Sequence, residues 1–328
     1  MHSQILQCIS GIFDILKNAG AERMKYWKNT SSTKEKKYER TGKCKPGPGH
    51  TLSLFYQFVM TLMRIRLDLP VLILADLFEV STGSVTKFTI SWIALMNQVL
   101  VPALVVWPKK EVNEGWLPDI FRKFPNVRSV IDCSEFFIDR PSNKDDQYRT
   151  YSQYKSHNTF KALLGITPSG AFNFVSDLWS GNISDKFITE KSGLLDKIEE
   201  GDEIMADRGF RIEDLLLTKK AKLIAPPFTR KSGNSKGKRL TAAEIRRTRE
   251  IARVRIHVER AIQRVKCWRI LKHQIPSTLA NSATMIVKVV AALCNLMGPL
   301  FYNPNEGKRN KKKPLKRLQT RPKRYYLK

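Results

Sequence analysis

Three acidic residues stand where the surrounding sequence makes an acid costly. Asp132 interrupts the apolar segment VIDCSEFF, and Asp207 directly follows the apolar run Ile204–Ala206. Glu259 is the one acid in residues 253–269, RVRIHVERAIQRVKCWR, which contain six Arg or Lys. A carboxylate in apolar surroundings is unfavourable unless a cation or hydrogen bonds compensate it. Mg²⁺ prefers carboxylate, water and phosphate oxygens, so these acids could together hold divalent cations.

The same three acids also have explanations that involve no chemistry. Asp132 could belong to a turn at the end of a strand, and Asp207 could form an ordinary turn with the Arg-Gly pair that follows it. Glu259 could form an ion pair with Arg255, four residues earlier on the same helix face. The residues alone leave both explanations open.

Other polar residues are secondary candidates for the same site. Asp177 and Asp185 compete with Asp207 as the second acid. Asp185 follows Ser184 in the first turn of a predicted helix, where a carboxylate interacts favourably with the helix dipole without any catalysis. His157 and Asn158 enter a predicted strand and could contact substrate, although a single histidine is more often structural.

Residues 124–228 have the pattern of strands interrupted by helices. An apolar strand is predicted over Val127–Phe137. The segments TFKALLGI and AFNFVSDLW predict two more strands, and the polar turn Thr167–Gly170 between them favours an antiparallel hairpin. A helix over residues 184–198 follows, with Ser184 at its N-cap.

The remaining segments alternate between strand and helix. The strand EIMAD ends at Asp207, and a short helix (IEDLLLTKK) and a strand (AKLIAPPF) come next. A Gly/Ser/Lys-rich loop over residues 229–239 leads to the long basic helix that holds Glu259. Apolar residues recur in that helix at three- and four-residue steps, which predicts a buried stripe beside Glu259. This order predicts an α/β fold with a mixed, RNase H-like sheet flanked by helices.

Two helices separated by a short turn precede this region. The segment PVLILADLF can begin a helix at Pro70, because proline is tolerated in the first turn. A three-residue turn leads to a second helix from Thr82. The arrangement predicts a small all-α helix-turn-helix domain that binds DNA, although an ordinary helical hairpin has the same pattern. The polar residues that could contact DNA there are Ser81, Thr82, Ser84, Thr86 and Lys87.

The chain is strongly basic. Its 328 residues contain 58 Lys or Arg and 30 Asp or Glu, so the net charge is +28. This excess suits a polyanionic partner such as nucleic acid. No run of 18 uncharged apolar residues occurs, so neither a transmembrane helix nor a membrane partner is expected. The five cysteines are scattered without zinc-site spacing, which favours a reducing compartment. The cations of the long helix predicted to neutralise DNA phosphates are Arg253, Arg260, Arg264 and Lys266.

Composition divides the chain into four parts. Residues 1–50 predict a weakly structured basic segment, residues 51–106 the helix-turn-helix domain, residues 107–302 the RNase H-like domain and residues 303–328 a disordered basic tail. Residues 307–328 carry 11 Lys or Arg and no acid, which is typical of a nuclear import signal or of a phosphate-binding arm. We therefore expect the protein in the nucleus.

Several of these motifs together resemble a known family. VIDCSEFFI, SQYKSHNTFKALLGITPSGAFNFVSDLWSGNISDKFI, GDEIMADRGF and RIHVERAIQRVK resemble the DDE superfamily endonuclease domain of PIF/Harbinger-like transposases. LADLFEVSTGSVTKFTISW resembles the helix-turn-helix that often precedes it. The resemblance covers roughly residues 50–302, and the family's three acids fall on Asp132, Asp207 and Glu259. Residues 1–50 lack the ligand spacing of the zinc-dependent THAP-type module that some relatives carry.

The resemblance implies a nuclease that cuts DNA and transfers its strands for a transposable element. In such enzymes three carboxylates hold two divalent cations, Mg²⁺ or Mn²⁺, about 4 Å apart. Asp132 would bridge both cations, and Asp207 and Glu259 would each complete one site. One cation would activate the attacking water or DNA 3′-hydroxyl, and the other would stabilise the leaving oxygen. Because transposition holds two ends together, a homo-oligomer is expected, with a possible accessory DNA-binding protein.

Two other functions are compatible with the sequence. A host-adopted transposase derivative would bind DNA or a protein partner without cutting, and metal-dependent nicking of DNA separates it from a nuclease. A general RNA-binding protein would share the basic charge, and competition between DNA and RNA would test that function.

Overall fold

A computed structural model of the chain describes residues 2–24, 52–115, 117–227, 241–298 and residue 300. The predicted basic linker before residue 51, the loop over residues 229–239 and the basic tail all lie outside the described residues.

The N-terminal region is helical. Its helices are α1 (His2–Asn18), α2 (Leu54–Leu67), α3 (Val71–Leu77) and α4 (Thr82–Leu104). Ser81 caps α4, because its hydroxyl accepts a hydrogen bond from the Ser84 amide at 3.1 Å. Pro70 lies directly before α3, so both helices of the predicted helix-turn-helix are confirmed.

Aromatic packing connects α1 to this helical region. The ring centroid of Phe13 lies 6.0 Å from that of Phe58 and 6.1 Å from that of Trp92. Trp92 is fully buried, and its indole N–H donates to Gln57 Oε1 at 3.4 Å. Large aromatic side chains contribute strongly to such cores. Residues 2–18, from the segment predicted to be weakly structured, therefore form a helix that packs in the helical core.

The predicted mixed sheet is present. Its strands are β1 (Val127–Phe137), β2 (Tyr151–Ser152), β3 (His157–Ile166), β4 (Phe172–Val175), β5 (Trp179–Ser180), β6 (Glu203–Met205) and β7 (Lys222–Ile224). They follow the order β2-β3-β1-β6-β7, and β4 and β5 also pair with β3. β1, β3 and β4 are antiparallel neighbours, whereas β6 and β7 are parallel to β1. This is the arrangement of an RNase H-like sheet.

Helices cover both faces of the sheet. They are α5 (Lys110–Gly115), α6 (Lys144–Thr150), α7 (Asp185–Lys191), α8 (Glu213–Leu217), α9 (Ala242–Lys266), α10 (Arg269–Lys272) and α11 (Ala283–Asn295). A capping box begins α9, because the side chain of each of Thr241 and Glu244 accepts a hydrogen bond from the other's backbone amide. The predicted apolar stripe of α9 is confirmed as buried, and its residues are Ile251, Val254, Val258, Ile262 and Val265.

Successive residues of β1 point to opposite faces of the sheet. Val130 and Phe136 belong to the core that includes α9 and α11. Ile131 belongs to a second core that includes α7 and α8. By this alternation Asp132, two residues after Val130, lies on the α9 side of the sheet.

Helix α7 is shorter than the sequence predicts. The predicted helix runs over residues 184–198, whereas α7 ends at Lys191. Gly193 lies two residues later with a φ of +80°, a left-handed conformation that ends a helix and that glycine adopts without strain. Ser184 caps the helix as predicted, accepting a hydrogen bond from the Phe187 amide.

Two helical segments, Thr82–Leu104 and Ser277–Asn295, are long and apolar enough to cross a membrane by length and composition alone. Core helices pass the same test. Here α4 packs against α11, and both contribute to one buried core that continues from the helical region into the sheet. Their apolar character is therefore accounted for by packing inside the fold.

Candidate active site

Strand pairing places Asp132 beside Asp207. β1 and β6 are parallel, with Val130 opposite Met205. Asp132 and Asp207 each follow two residues later, and a two-residue step returns to the same face of a sheet. Asp132 is half-buried, whereas the side chain of Asp207 is 52% exposed. Two acids far apart in the sequence thus lie side by side where β6 ends.

Asp207 also stabilises the turn after β6. Its Oδ1 accepts a hydrogen bond from the Arg208 amide at 2.7 Å, and its carbonyl accepts one from the Phe210 amide at 3.0 Å. The turn that the sequence suggested is therefore real. The turn orients the Asp207 side chain, and this is compatible with Asp207 also binding a metal ion.

The electrostatic environment of Asp132 is unfavourable for an ionised carboxyl group. Burial is the main cause that raises the pKa of Asp132 to about 6. Arg255 acts in the opposite direction, and the carboxylates of Asp207 and Asp185 contribute to the rise. Several negative charges share this region with limited compensation, so a cation bound there would relieve their repulsion.

Arg255 supplies positive charge at this position. Its Nη1 donates to Asp207 Oδ1 at 2.9 Å, and its side chain is only 13% exposed. Arg255 therefore pairs across the fold with Asp207 rather than along the helix with Glu259. The sequence offered no sign of this pairing, because the two partners are far apart in the chain.

Glu259 occupies the same side of α9 as Arg255. It is exposed and follows Arg255 by four residues, about one helical turn. Lys266 lies seven residues after Glu259, on the same side of α9. Burial and the charge of Lys155 lower the pKa of Lys266, whereas the charges of Asp132 and Glu135 raise it. Glu259 thus lies on α9 between Arg255 and Lys266, and the charges of both interact with Asp132. Among the described residues Glu259 forms no ion pair.

The donor set suits a hard divalent cation in chemical type, because carboxylate oxygens are the ligands that Mg²⁺ takes from proteins. The crowding that raises the pKa of Asp132 is also what such a cation would offset. Within the described ranges, however, no three Asp, Glu, His or Cys side chains lie close enough to form a metal site. The structure brings Asp132 and Asp207 together, and it places Glu259 on the neighbouring helix α9, on the same side as Arg255.

Asp185 lies on the other face of the sheet. Its Oδ1 is 3.4 Å from Lys161 Nζ. Burial, followed by the charge of Asp185 and a hydrogen bond to it, raises the pKa of the Cys133 thiol. Cys133 neighbours Asp132 in β1 and points to the opposite face. Asp177 is exposed and pairs with Lys288 at 2.6 Å. The partners of both acids favour structural roles.

His157 begins β3 and is exposed. Its Nδ1 lies 3.0 Å from the Lys155 carbonyl, and its ring packs edge-on against Phe137 at 5.4 Å. The amide of Asn158 donates to the Gln147 carbonyl at 2.8 Å. Both residues line a groove beside the strand, and the hydrogen bond of Asn158 gives it a structural role there.

The predicted DNA contacts of the helix-turn-helix differ in their availability. Ser81 and Ser84 share a hydrogen bond at 2.9 Å at the start of α4, and Thr86 Oγ1 donates to the Thr82 carbonyl at 3.2 Å. These hydroxyl groups already form hydrogen bonds within the first turns of α4, so they are less available to DNA. Thr82 and Lys87 are exposed, so their side chains can reach a partner.

The predicted phosphate contacts on α9 also fall into two groups. Arg253 and Arg260 are exposed. Arg264 donates to the Gly298 carbonyl at 2.7 Å, and Lys266 lies over the ring of Phe136 at 5.8 Å. Arg264 and Lys266 therefore contribute to packing, and Arg253 and Arg260 are the stronger candidates for binding phosphate.

Replacing Arg255 with alanine is expected to destabilise the metal-free protein. The change leaves Asp207 and Asp132 without their countercharge. Because Asp207 is half-exposed, we expect a loss of about 1–2 kcal/mol, less than the roughly 3–5 kcal/mol typical of a fully buried pair. Saturating Mg²⁺ should recover more stability in this variant than in the wild type, since the cation replaces the lost charge. Thermal unfolding with EDTA and with Mg²⁺ measures both effects.

Arg253→Ala is the matched control, because Arg253 is exposed on the same helix two residues away. It should change neither the stability nor the response to Mg²⁺. Equal responses of the two variants would show that Arg255 does not serve as the countercharge of these acids.

Comparison with known families gives two matches. The model described as DDE superfamily endonuclease matches residues 131–295, and the model described as helix-turn-helix of DDE superfamily endonuclease matches residues 50–102. No curated protein and no solved structure shows significant similarity to the chain. The first match begins one residue before Asp132 and includes Asp207 and Glu259. Because it covers half of the chain, this protein belongs to the DDE superfamily endonuclease family.

Proposed function

We propose that this protein is a divalent-metal-dependent DNA endonuclease of the transposase type, which hydrolyses phosphodiester bonds and transfers DNA strands. The observation that carries the proposal is the placement of Asp132 and Asp207 side by side on the sheet face that α9 covers. Glu259 lies on that helix, within the residues matched by the family model.

In this proposal the carboxylate oxygens of Asp132, Asp207 and Glu259 would hold Mg²⁺ or Mn²⁺. When bound, the metal would supply activation of the attacking oxygen and stabilisation of the charge that develops on the leaving oxygen. Arg255 neutralises Asp207 before the metal binds, which limits repulsion between the acids in the free protein.

DNA binding rests on two surfaces in this proposal. Thr82 and Lys87 at the start of α4 would contact the duplex through the helix-turn-helix. Arg253 and Arg260 on α9 would neutralise phosphates near the cleavage site. Binding through such cations weakens steeply as the salt concentration rises, because counterions are released from DNA.

Supercoiled plasmid incubated with the full chain tests the nuclease function. We expect open-circular product with Mg²⁺ or Mn²⁺ and none with EDTA, because the acids lack their cation there. Asp177→Ala serves as the control, since Asp177 pairs with Lys288 away from the acids. A folded, DNA-binding protein that never nicks with either metal would contradict the proposal.

A host-adopted derivative that binds DNA without cutting is the second candidate. The observation in its favour is that the acids of the described residues do not form a group of three suited to a metal. In that case the folded protein would bind DNA without nicking it in Mg²⁺ or Mn²⁺, and replacement of Asp132 or Glu259 would leave the binding unchanged.

We also propose nuclear localisation and assembly into a homo-oligomer. The 11 Lys or Arg of residues 307–328 support the first, and the need to hold two DNA ends supports the second. A cytoplasmic signal on imaging of the tagged full-length chain would contradict the localisation. Sedimentation of the purified protein as a monomer on DNA would contradict the assembly.

A further inference from the structure

A groove with a volume of about 980 Å³ lies beside β3. Three tyrosines at three-residue intervals line it: Tyr148 from α6, Tyr151 from β2 and Tyr154 from the turn before β3. Their exposed fractions are 80%, 43% and 83%. Three aromatic rings left open along one groove are a large apolar surface available to a ligand.

The backbone that carries these rings is held by its own hydrogen bonds. Arg140 donates through Nε and Nη2 to Gln147 Oε1 at 3.0 and 2.9 Å, and Gln147 Nε2 donates to the Pro141 carbonyl at 2.7 Å. The Asn158 amide donates to Thr150 Oγ1 at 2.9 Å. The rings therefore project from an ordered platform, so a ligand would not have to order this segment on binding.

The groove is positively charged. The charged residues that line it include the cations Arg140, Lys144 and Lys161 and the carboxylate of Glu135. Glu135 is already engaged, because its Oε2 accepts from Thr159 Oγ1 at 2.9 Å and its Oε1 lies 3.8 Å from Lys161 Nζ. The charge of the lining suits an anionic ligand.

The groove lies along the two strands that also carry the neighbourhood of Asp132. Glu135 and Lys161, which line it, stand opposite each other in β1 and β3, and Glu135 follows Asp132 by three residues. Lys155, whose ammonium lies 4.4 Å from the ring of Tyr154, is close enough to Lys266 to lower its pKa. Asp132 and Glu135 act on the pKa of the same Lys266 in the opposite direction. Glu135 lies about 10 Å along β1 from Asp132, at about 3.3 Å per residue, so the groove is near the candidate active site.

We propose that this groove binds unpaired nucleotides of the DNA strand next to the cleavage site, with bases stacked on Tyr148, Tyr151 and Tyr154. Single strands are bound by grooves that combine backbone cations with aromatic stacking platforms. A duplex keeps its base faces inside the stack, so it cannot use the rings in this way. The proposal rests on the proposed function for its choice of DNA, and it is tested by binding alone.

Binding of a fluorescently labelled 15-nucleotide oligo-dT to the full chain tests the proposal. The measurement uses EDTA and a fixed salt concentration, so no cleavage occurs. Each of Tyr148→Ala and Tyr154→Ala should weaken binding about 5- to 150-fold, as expected from the stacking contribution of one base. Tyr148→Phe should bind as the wild type does, because it keeps the ring. Tyr56→Ala, at a 56% exposed tyrosine of α2, is the matched control.

The affinity for a labelled duplex separates stacking from charge. It should stay within about twofold of the wild type in both alanine variants. Unchanged oligo-dT binding, or an equal loss for oligo-dT and duplex, would overturn the proposal, and the first result would direct attention to a protein partner for the groove. If the tyrosine variants bind oligo-dT as the wild type does, the proposed nuclease function still stands on plasmid nicking. If the protein does not nick plasmid, binding of oligo-dT to the groove can still be measured.

Discussion

Replacing Asp132 with asparagine or Glu259 with glutamine is expected to slow metal-dependent nicking on the order of 1,000-fold. Each change removes a negatively charged ligand and keeps the size of the side chain. Metal stabilisation of transition-state charge is worth several kcal/mol, and about 1.4 kcal/mol corresponds to tenfold in rate. A loss of about 4 kcal/mol therefore gives this factor. The initial rate of conversion of supercoiled to open-circular plasmid at saturating Mg²⁺ is the measurement.

Asp185→Asn distinguishes the proposed set of acids from its nearest alternative. Asp185 is held by Lys161 and lies on the sheet face opposite to Asp132, so its replacement should cost far less activity. Asp177→Asn should have no effect, because Asp177 is exposed and pairs with Lys288. Wild-type nicking by Asp207→Asn together with an inactive Asp185→Asn would assign the second acid to Asp185.

Much of the fold was predictable, because local pattern and long-range packing agree there. The strand over Val127–Phe137 is found with those bounds, and the cap at Ser184 is found as predicted. The segment of α6 and β2, residues 144–152, was missed. Its sequence KDDQYRTYS has no apolar period, and its structure depends on hydrogen bonds to Gln147 and Asn158 that no local pattern shows.

The candidate site was predictable only in part. An acid in an apolar strand is a local signal, so Asp132 and Asp207 could be found from sequence. The identity of their countercharge could not, because Arg255 is one of many cations on α9 and only the crossing of that helix over the sheet selects it. The groove tyrosines were missed for a similar reason. Their spacing resembles an ordinary polar segment until the fold shows that the rings are exposed on one side.

Asp132→Asn is also expected to stabilise the metal-free protein at pH 8. The carboxyl pKa is about 6 in the folded protein, against an ordinary value of 3.8, so folding favours its protonated form. The stability that this group contributes is complete below about pH 4 and is lost as the pH rises through about 6. A shift of about two pKa units corresponds to about 3 kcal/mol, which asparagine avoids because it cannot ionise. The free energy of unfolding in urea with EDTA, measured at pH 4 and at pH 8, tests this gain.

The groups around Asp132 determine how this gain should respond to other changes. Arg255 and Lys266 act on it from α9 and Asp207 acts from the end of β6, whereas the charge of Asp185 acts from the opposite face of the sheet. Arg255→Ala should enlarge the gain, since removing the cation raises the pKa of Asp132 further, and saturating Mg²⁺ should abolish it by stabilising only the wild type. If the wild type and Asp132→Asn are equally stable at pH 4 and the variant is more stable at pH 8, the ionised carboxylate of Asp132 destabilises the folded protein. A gain that is the same at both pH values would reflect packing instead, and the charge argument would then fail.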